Sequence, residues 1–399
     1  MPHPILEPIL KETYGIIVYQ EQIMQIANVL AGFTFGQADL LRRAVSKKNI
    51  DILNEQKATF VSGAIQKGFS QQVAEEVYEL IVRFANYGFA KSHAVAYSLI
   101  SYQMAFLKAN FPVHFYAALM TNSIGNPDKL FQYILEAKNK GIVIERPSIQ
   151  KSYRHFYVEQ GKIRFSLSVI RGVTQNFLKK LVETRSNLGR PFEDIFDMAT
   201  ALSAATFTRK ELEPLIKAGA LDDFGKDRAS LLATIDAAIK HAKIVRPTEE
   251  DNLFSSNPNI FGRPKYIEVD PIPQKIKLQF EKEVLGFYLS EHPVTLERRN
   301  MNDIQFNTKT LRNLRPHTFV KLVGMIDHVR QIRTKKGELM AFVQLSDEFG
   351  TISLTLFPKE YNAVVGWIRE EMIVYVEGFL EYRQEKPQIV VKLLEKTSN

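Results

Sequence analysis

The sequence predicts a multi-domain chain that is mainly α-helical through its first two modules and ends in an all-β barrel. Three observations carry this. Residues 1 to about 140 hold helical patterning interrupted at Gly32, Gly68, Gly88, Pro112 and Gly141. The interval from Arg246 to Pro273 loses periodicity and fills with Pro, Asn, Ser and acidic residues, the composition of a linker. Toward the end, a stretch of about eighty residues alternates apolar and polar side chains, the period-two signature of strands.

Composition bounds the class. A hydrophobic content of 45% supports several buried cores and excludes general disorder. With no cysteine there is neither a disulfide nor cysteine-ligated zinc, which fits a reducing compartment. Met1-Pro2-His3-Pro4 lacks a charged region leading into an apolar core, and no apolar run is long enough to span a bilayer; a cytoplasmic protein with no membrane partner is expected. The net charge of +8 favours polyanionic partners without naming one.

Among the helices, Gly36-Gln37-Ala38-Asp39-Leu40-Leu41-Arg42-Arg43-Ala44-Val45-Ser46-Lys47-Lys48 carries the densest charge. Phe33 and Gly36 read as loop and turn residues before it, and Leu40, Leu41, Ala44 and Val45 as its buried stripe. Arg42, Arg43, Lys47 and Lys48 then crowd the remaining arc and repel one another unless an anion lies between them. A triphosphate or a nucleic-acid backbone fits, because arginine grips phosphate oxygens in pairs and lysine adds a point charge. A solvated face with Asp39 pairing Arg43 at i,i+4 is the alternative.

Further on, Phe84-Ala85-Asn86-Tyr87-Gly88-Phe89-Ala90-Lys91-Ser92-His93-Ala94-Val95-Ala96-Tyr97-Ser98-Leu99-Ile100-Ser101-Tyr102-Gln103 passes through a glycine turn into a helix that reaches Asn110 and stops before Pro112. With Tyr14-Gly15-Ile16-Ile17-Val18-Tyr19-Gln20-Glu21-Gln22, the segment Met104 to Thr121 and the basic helix, it resembles the fingers region of family C replicative DNA polymerases, the bacterial polymerase III alpha subunits. That resemblance implies part of a DNA-directed DNA polymerase, a nucleotidyltransferase using dNTPs and Mg2+. Its implied partners are primer-template DNA, single-stranded DNA, a sliding clamp and other replisome subunits. It also implies that Arg42, Arg43, Lys47 and Lys48 hold the triphosphate, with Lys91, Ser92 and His93 near nucleotide or template. Ser92 and His93 are adjacent on a helix and point apart, which argues against a nucleophile and its base.

After Gly141, short strands are expected at Ile142–Glu145 and Lys162–Ser168, and helices at Gln175–Arg185, Arg209–Ala218 and Asp227–Val245. Val169-Ile170-Arg171-Gly172-Val173-Thr174, opening the first of these helices, resembles the helix-hairpin-helix element of the same polymerases. A glycine turn at a helix start can hold one phosphate on backbone N–H groups without reading a base, which makes Arg171, Gly172 and Thr174 candidate duplex contacts. Thr174 stands where the family usually has a second glycine. Leu215 to Asp222, with Arg228 downstream, is either the partner hairpin or a glycine helix cap.

In the linker, Glu250-Asp251-Asn252-Leu253-Phe254 resembles a sliding-clamp-binding pentapeptide, with Glu250 in place of the usual glutamine and Leu253 and Phe254 as anchors. A short helix is expected at Gln279–Leu289. The closing strands, with one helix around Lys359–Trp367 before the fourth, fit an OB-fold. Its first hairpin loop carries Arg330, Arg333, Lys335 and Lys336, candidate contacts to single strands. Phe342 and Phe357 are candidate stackers, although a place inside the barrel is the preferred reading for both.

The resulting division is residues 1–140 as polymerase fingers, 141–245 as a helix-hairpin-helix module, 246–273 as linker, 274–314 as a helical connector and 315–399 as the OB-fold domain. The family's metal-binding aspartates lie in a palm that precedes the fingers, whereas this sequence opens at His3-Pro4-Ile5-Leu6-Glu7-Pro8 on the approach to them. Its acidic residues are scattered and its eight histidines show no ligand spacing. The magnesium ligands are therefore expected outside this chain and no catalytic residue is assigned within it. Alone, the chain is expected to incorporate no nucleotide in primer extension with magnesium and all four triphosphates. A non-catalytic nucleic-acid-binding or clamp-associated module is the alternative.

Overall fold

The computed structural model of the chain describes residues 3–46, 50–85, 89–203, 206–245, 264–299, 301, 304–383 and 385–397. Lys47 and Lys48 of the basic helix and Glu250, Leu253 and Phe254 of the linker motif lie outside the described residues. Compactness divides the chain into residues 1–110 and 111–399.

The elements of the first unit among the described residues are helices: α1 (Glu7–Leu10), α2 (Gln20–Ala31), α3 (Phe35–Ser46), α4 (Ile50–Gln66), α5 (Gln71–Ala85) and α6 (Lys91–Asn110). Gln22 fixes the start of α2. Its side-chain oxygen accepts the N–H groups of Val18 and Tyr19 at 2.9 and 3.0 Å, while its amide donates to the Ile9 carbonyl and Thr13 Oγ1. Gly32, left-handed at φ 69°, ends the helix. Ile23, Ile26, Leu30, Leu41, Phe60, Val77 and Ile81 form the core. A Cβ on Gly63 of α4 would stand 2.2 Å from the Ala31 carbonyl oxygen, so glycine permits this close backbone approach.

Helix α3 starts one residue before Gly36. Gln37 Oε1 accepts the Thr34 N–H while the Gln37 N–H reaches Thr34 Oγ1, a reciprocal cap that makes Gly36 helical rather than a turn residue. Its buried stripe is Ala38, Leu41 and Ala44; Leu40, expected inside, is 57% exposed. In α6 no residue is buried, and Val95, Tyr97, Leu99, Ile100, Tyr102 and Phe106 are all exposed around it.

The second unit opens with α7 (Pro112–Thr121) and α8 (Pro127–Asn139). A small sheet follows, ordered β1 (Ile144–Glu145), β3 (Lys162–Arg164), β2 (Tyr157–Glu159). Then come α9 (Gln175–Leu188), α10 (Ile195–Leu202), α11 (Arg209–Lys217), α12 (Arg228–Val245) and α13 (Gln274–Leu285). These share one core around Tyr116, Ile134, Phe165, Phe196, Leu215 and Leu285. Helix α13 lies upstream of the Gln279–Leu289 expected for it, because Pro273 sets its start and Gly286, at φ 88°, its end.

Two short helices, α14 (Pro293–Arg298) and α15 (Thr308–Leu311), lead into the barrel. Its strands β4 (Phe319–Arg333), β5 (Leu339–Asp347), β6 (Gly350–Leu356), β7 (Ile373–Arg383) and β8 (Lys386–Lys396) close in the order β4-β5-β6-β8-β7, with α16 (Pro358–Val364) before β7. Only β6 and β8 pair in parallel, so the barrel is the five-stranded OB arrangement expected. Asp347 pins the connector to it. This buried carboxylate accepts N–H bonds from Thr308 (2.7 Å), Phe349 (2.9 Å) and Gly350 (3.2 Å) and the Thr308 hydroxyl, and pairs with Arg298 at 3.5 Å.

Candidate nucleotide and nucleic-acid interface

Two cations of the first unit, Lys91 and Arg42, reach the start of α2. Segment 18–20 pairs in parallel with Phe89 through Phe89 N–H to Val18 and Gln20 N–H to Phe89, bringing the beginning of α6 alongside. Glu21 then accepts the Lys91 N–H with both oxygens, at 3.0 and 2.9 Å. The Lys91 ammonium lies 5.7 Å from the centre of the Tyr19 ring and donates to both oxygens of Glu12, at 2.7 and 2.6 Å. That hydrogen bond raises the Lys91 pKa above its ordinary value.

Arg42 reaches the same place from α3, donating to Gln20 Oε1 at 2.9 Å and to Asp39 at 2.8 Å. Arg43 pairs with the other Asp39 oxygen at 2.8 Å but is 64% exposed, against 26% for Arg42. The Arg42 hydrogen bond holds the Asp39 carboxyl below the usual carboxylate range. The i,i+4 Asp39–Arg43 pair weighed from sequence therefore forms, and it leaves Arg43 facing outward. Ser92 and His93 are exposed at the head of α6, with His93 edge-on to Phe89 at 6.2 Å. Glu12, Tyr19, Gln20 and Glu21 complete this arrangement and escaped assignment from sequence. Tyr19, Gln20 and Glu21 lie inside the segment Tyr14 to Gln22 that carried the resemblance, which is the signal that could have marked them.

In the second unit, Gly172 adopts φ 91°, a left-handed value suited to glycine, and Thr174 caps α9 by accepting the Phe177 N–H. Glu211, a buried carboxylate on α11, takes both the Thr174 N–H (2.9 Å) and its hydroxyl (2.7 Å). A phosphate at this turn would thus meet Gly172 and the exposed Arg171 rather than the Thr174 amide. At the other hairpin, the glycine-cap reading holds: Gly219 is left-handed at φ 79° and Ala220 N–H returns to the Leu215 carbonyl. Arg228 is buried there, bidentate to Asp222 and bonded to the Lys217 carbonyl.

On the barrel, Arg330 is in register with Phe342, and Phe342 with Thr355, across β4, β5 and β6. Phe342 is half-buried and Phe357 is 46% exposed, and neither belongs to the barrel core, so the interior placement preferred from sequence is corrected for both. Arg333 donates to the Gly337 carbonyl at 2.9 Å, closing a hairpin loop from which Lys335 and Lys336 project. Among the described residues, no group of three His, Cys, Asp or Glu side chains could hold a metal ion. No helix among them is long and apolar enough to cross a membrane.

A cation-bearing helical unit, a helix-hairpin-helix module and an OB barrel together define a protein of the nucleic-acid-handling class. Residues 1–68 match the bacterial DNA polymerase III alpha subunit finger domain, 141–231 a helix-hairpin-helix motif and 320–396 an OB-fold nucleic acid binding domain. The chain is homologous to part of the bacterial DNA polymerase III alpha subunits. It is 43% identical over 395 residues to DNA polymerase III subunit alpha of Bacillus subtilis, covering 99% of this chain and 35% of that protein. The corresponding Halalkalibacterium halodurans protein is 44% identical (98% of this chain, 34% of that one) and that of Staphylococcus aureus 38% (98% and 36%). The chain thus spans about a third of the length of the curated relatives it matches.

Proposed function

We propose that this chain supplies the fingers, the duplex grip and the single-strand-binding barrel of a cytoplasmic replicative DNA polymerase, binding incoming dNTP and primer-template DNA for template-directed nucleotidyl transfer. The observation that carries the reading is the homology with alpha subunits along essentially the whole chain, with three domain types in one order. Arg42 and Lys91, which meet at the head of α2, and Arg43, next to Arg42 on α3, are the triphosphate-holding groups, with Lys47 and Lys48 beside them in sequence; Ser92 and His93 face nucleotide or template. Arg171 and Gly172 grip duplex phosphate, with Thr174 shaping that turn through Glu211. Arg330, Arg333, Lys335 and Lys336, flanked by Phe342, take the single strand. Glu250, Leu253 and Phe254 engage a sliding clamp, and other replisome subunits bind elsewhere. Magnesium serves the reaction through carboxylates that this chain does not supply. The domain limits proposed are those read from sequence, with the OB-fold domain from 315, except that α7 and α8, placed by the sequence in fingers ending at residue 140, go with the module after them because they pack into the second unit's core.

Fluorescence anisotropy with single-stranded and duplex oligonucleotides at several salt concentrations tests the binding half of this reading. The chain should bind both. Replacing Arg330, Arg333, Lys335 and Lys336 by alanine should flatten the single-strand salt slope by up to roughly three units, at about 0.7 per phosphate contact. Duplex binding should change less. An unchanged single-strand slope would make the loop a solvated hairpin and remove the barrel from the nucleic-acid path.

A further inference from the structure

In the first unit the candidate polyphosphate site meets carboxylates of two kinds. Asp39 lies on the same helix as Arg42 and Arg43, at i,i+3 and i,i+4, a pairing that helix geometry supplies locally. Lys91 is held by Glu12, separated from it by 79 residues, so folding alone brings these two together. Glu12 sits on a single turn, Lys11–Thr13, whose position is fixed from below by the Gln22 amide on Ile9 and Thr13. Both members are about half exposed, at 45% for Lys91 and 46% for Glu12. The groups facing the ammonium are therefore Glu12, Glu21 and the Tyr19 ring.

An exposed pair of this kind is weak, whereas a polyphosphate at the head of α2 would present several charges to Lys91 and Arg42, with Arg43 next along α3. We propose that Glu12 is a positioning residue that occupies Lys91 in place of phosphate, parking the ammonium over Tyr19 and competing with the polyphosphate that enters. This rests on the reading of Arg42, Arg43 and Lys91 as a polyphosphate site. Glu12 then sets affinity from outside the contact set: it lowers net binding strength while keeping Lys91 ordered at the head of α6. Asp39 cannot play this part as cleanly, because Arg42 is braced by Gln20 as well.

The test uses the full 399-residue chain, inorganic tripolyphosphate as probe and titration calorimetry at low and physiological salt. Glu12→Gln should tighten binding about two- to fivefold at low salt, the equivalent of an exposed ion pair, and less at physiological salt. Lys91→Ala should weaken binding, and in that background Glu12→Gln should have no effect. Glu12→Asp, which keeps the charge, should behave as the parent. A Glu12→Gln gain that persists without Lys91, or one matched by Glu12→Asp, would mean a diffuse field or loosened packing and would overturn the proposal. If Lys91→Ala and Arg43→Ala weaken binding but Glu12→Gln changes nothing, the site stands and the competitor role falls. Tripolyphosphate binding that no substitution alters removes the site itself, and the role of Glu12 with it.

Discussion

Asp347→Ala should destabilise the barrel by about 3–5 kcal/mol, the range for removing one partner of a buried charge network. The carboxylate accepts four hydrogen bonds and faces Arg298. Its loss strands the Thr308 and Gly350 amides in a dry site and leaves Arg298 with Glu348 as its remaining carboxylate. The measurement is simplified by Trp367, the single tryptophan, which packs against the barrel core and reports on this domain alone. Urea unfolding followed by its fluorescence should show a lower midpoint with an unchanged slope. A loss below about 1 kcal/mol would mean that water replaces the carboxylate and that the connector is not pinned through it.

Arg43→Ala, placed in a full-length polymerase containing this segment, should weaken nucleotide use by about ten- to a hundredfold while leaving primer-template affinity nearly unchanged. One charge-assisted contact to phosphate is worth on the order of 1.5–3 kcal/mol. Arg43 is more informative than Arg42, because Arg42 also braces Gln20 and its removal would mix structure with binding. Steady-state primer extension at varied dNTP gives the nucleotide constant, and anisotropy gives DNA affinity. Equal loss of DNA affinity with an unchanged nucleotide constant would put Arg43 on the DNA backbone.

Local signals were legible in the sequence and distant pairings were not. The barrel, its single helix and the glycine ends of α2 and the Arg171 turn follow from alternation and from glycine's tolerance of positive φ. The start of α3 was also written locally, as Thr34 three residues before Gln37, yet the neighbouring Gly36 read as a turn. Likewise α10 is opened by Asp194, whose side chain accepts the Asp197 N–H. Phe342 lies off the barrel core because alternation fixes which residues share a face but not which face is inward, whereas Phe357 lies just past β6, as the N-cap of α16, where strand alternation no longer applies. Glu12 with Lys91, Glu21 with Lys91 and Glu211 with Thr174 join residues 79, 70 and 37 positions apart, and no periodicity encodes such meetings. For that reason the cations of the candidate site could be named from sequence, but their carboxylate partners could not.

Helix α6 has a consequence for the order in which parts of the first unit come undone. Helices in proteins draw most of their stability from packing a face against the core, and this twenty-residue helix buries none of its residues. At its head, Glu21 and Glu12 hold Lys91. No α6 residue belongs to the Leu30, Phe60 and Ile81 core, so opening α6 is expected to cost less than opening that core. Its melting would release the Lys91 ammonium while the scaffold carrying Arg42 and Arg43 stayed folded, so the two halves of the cation cluster live on elements with different lifetimes.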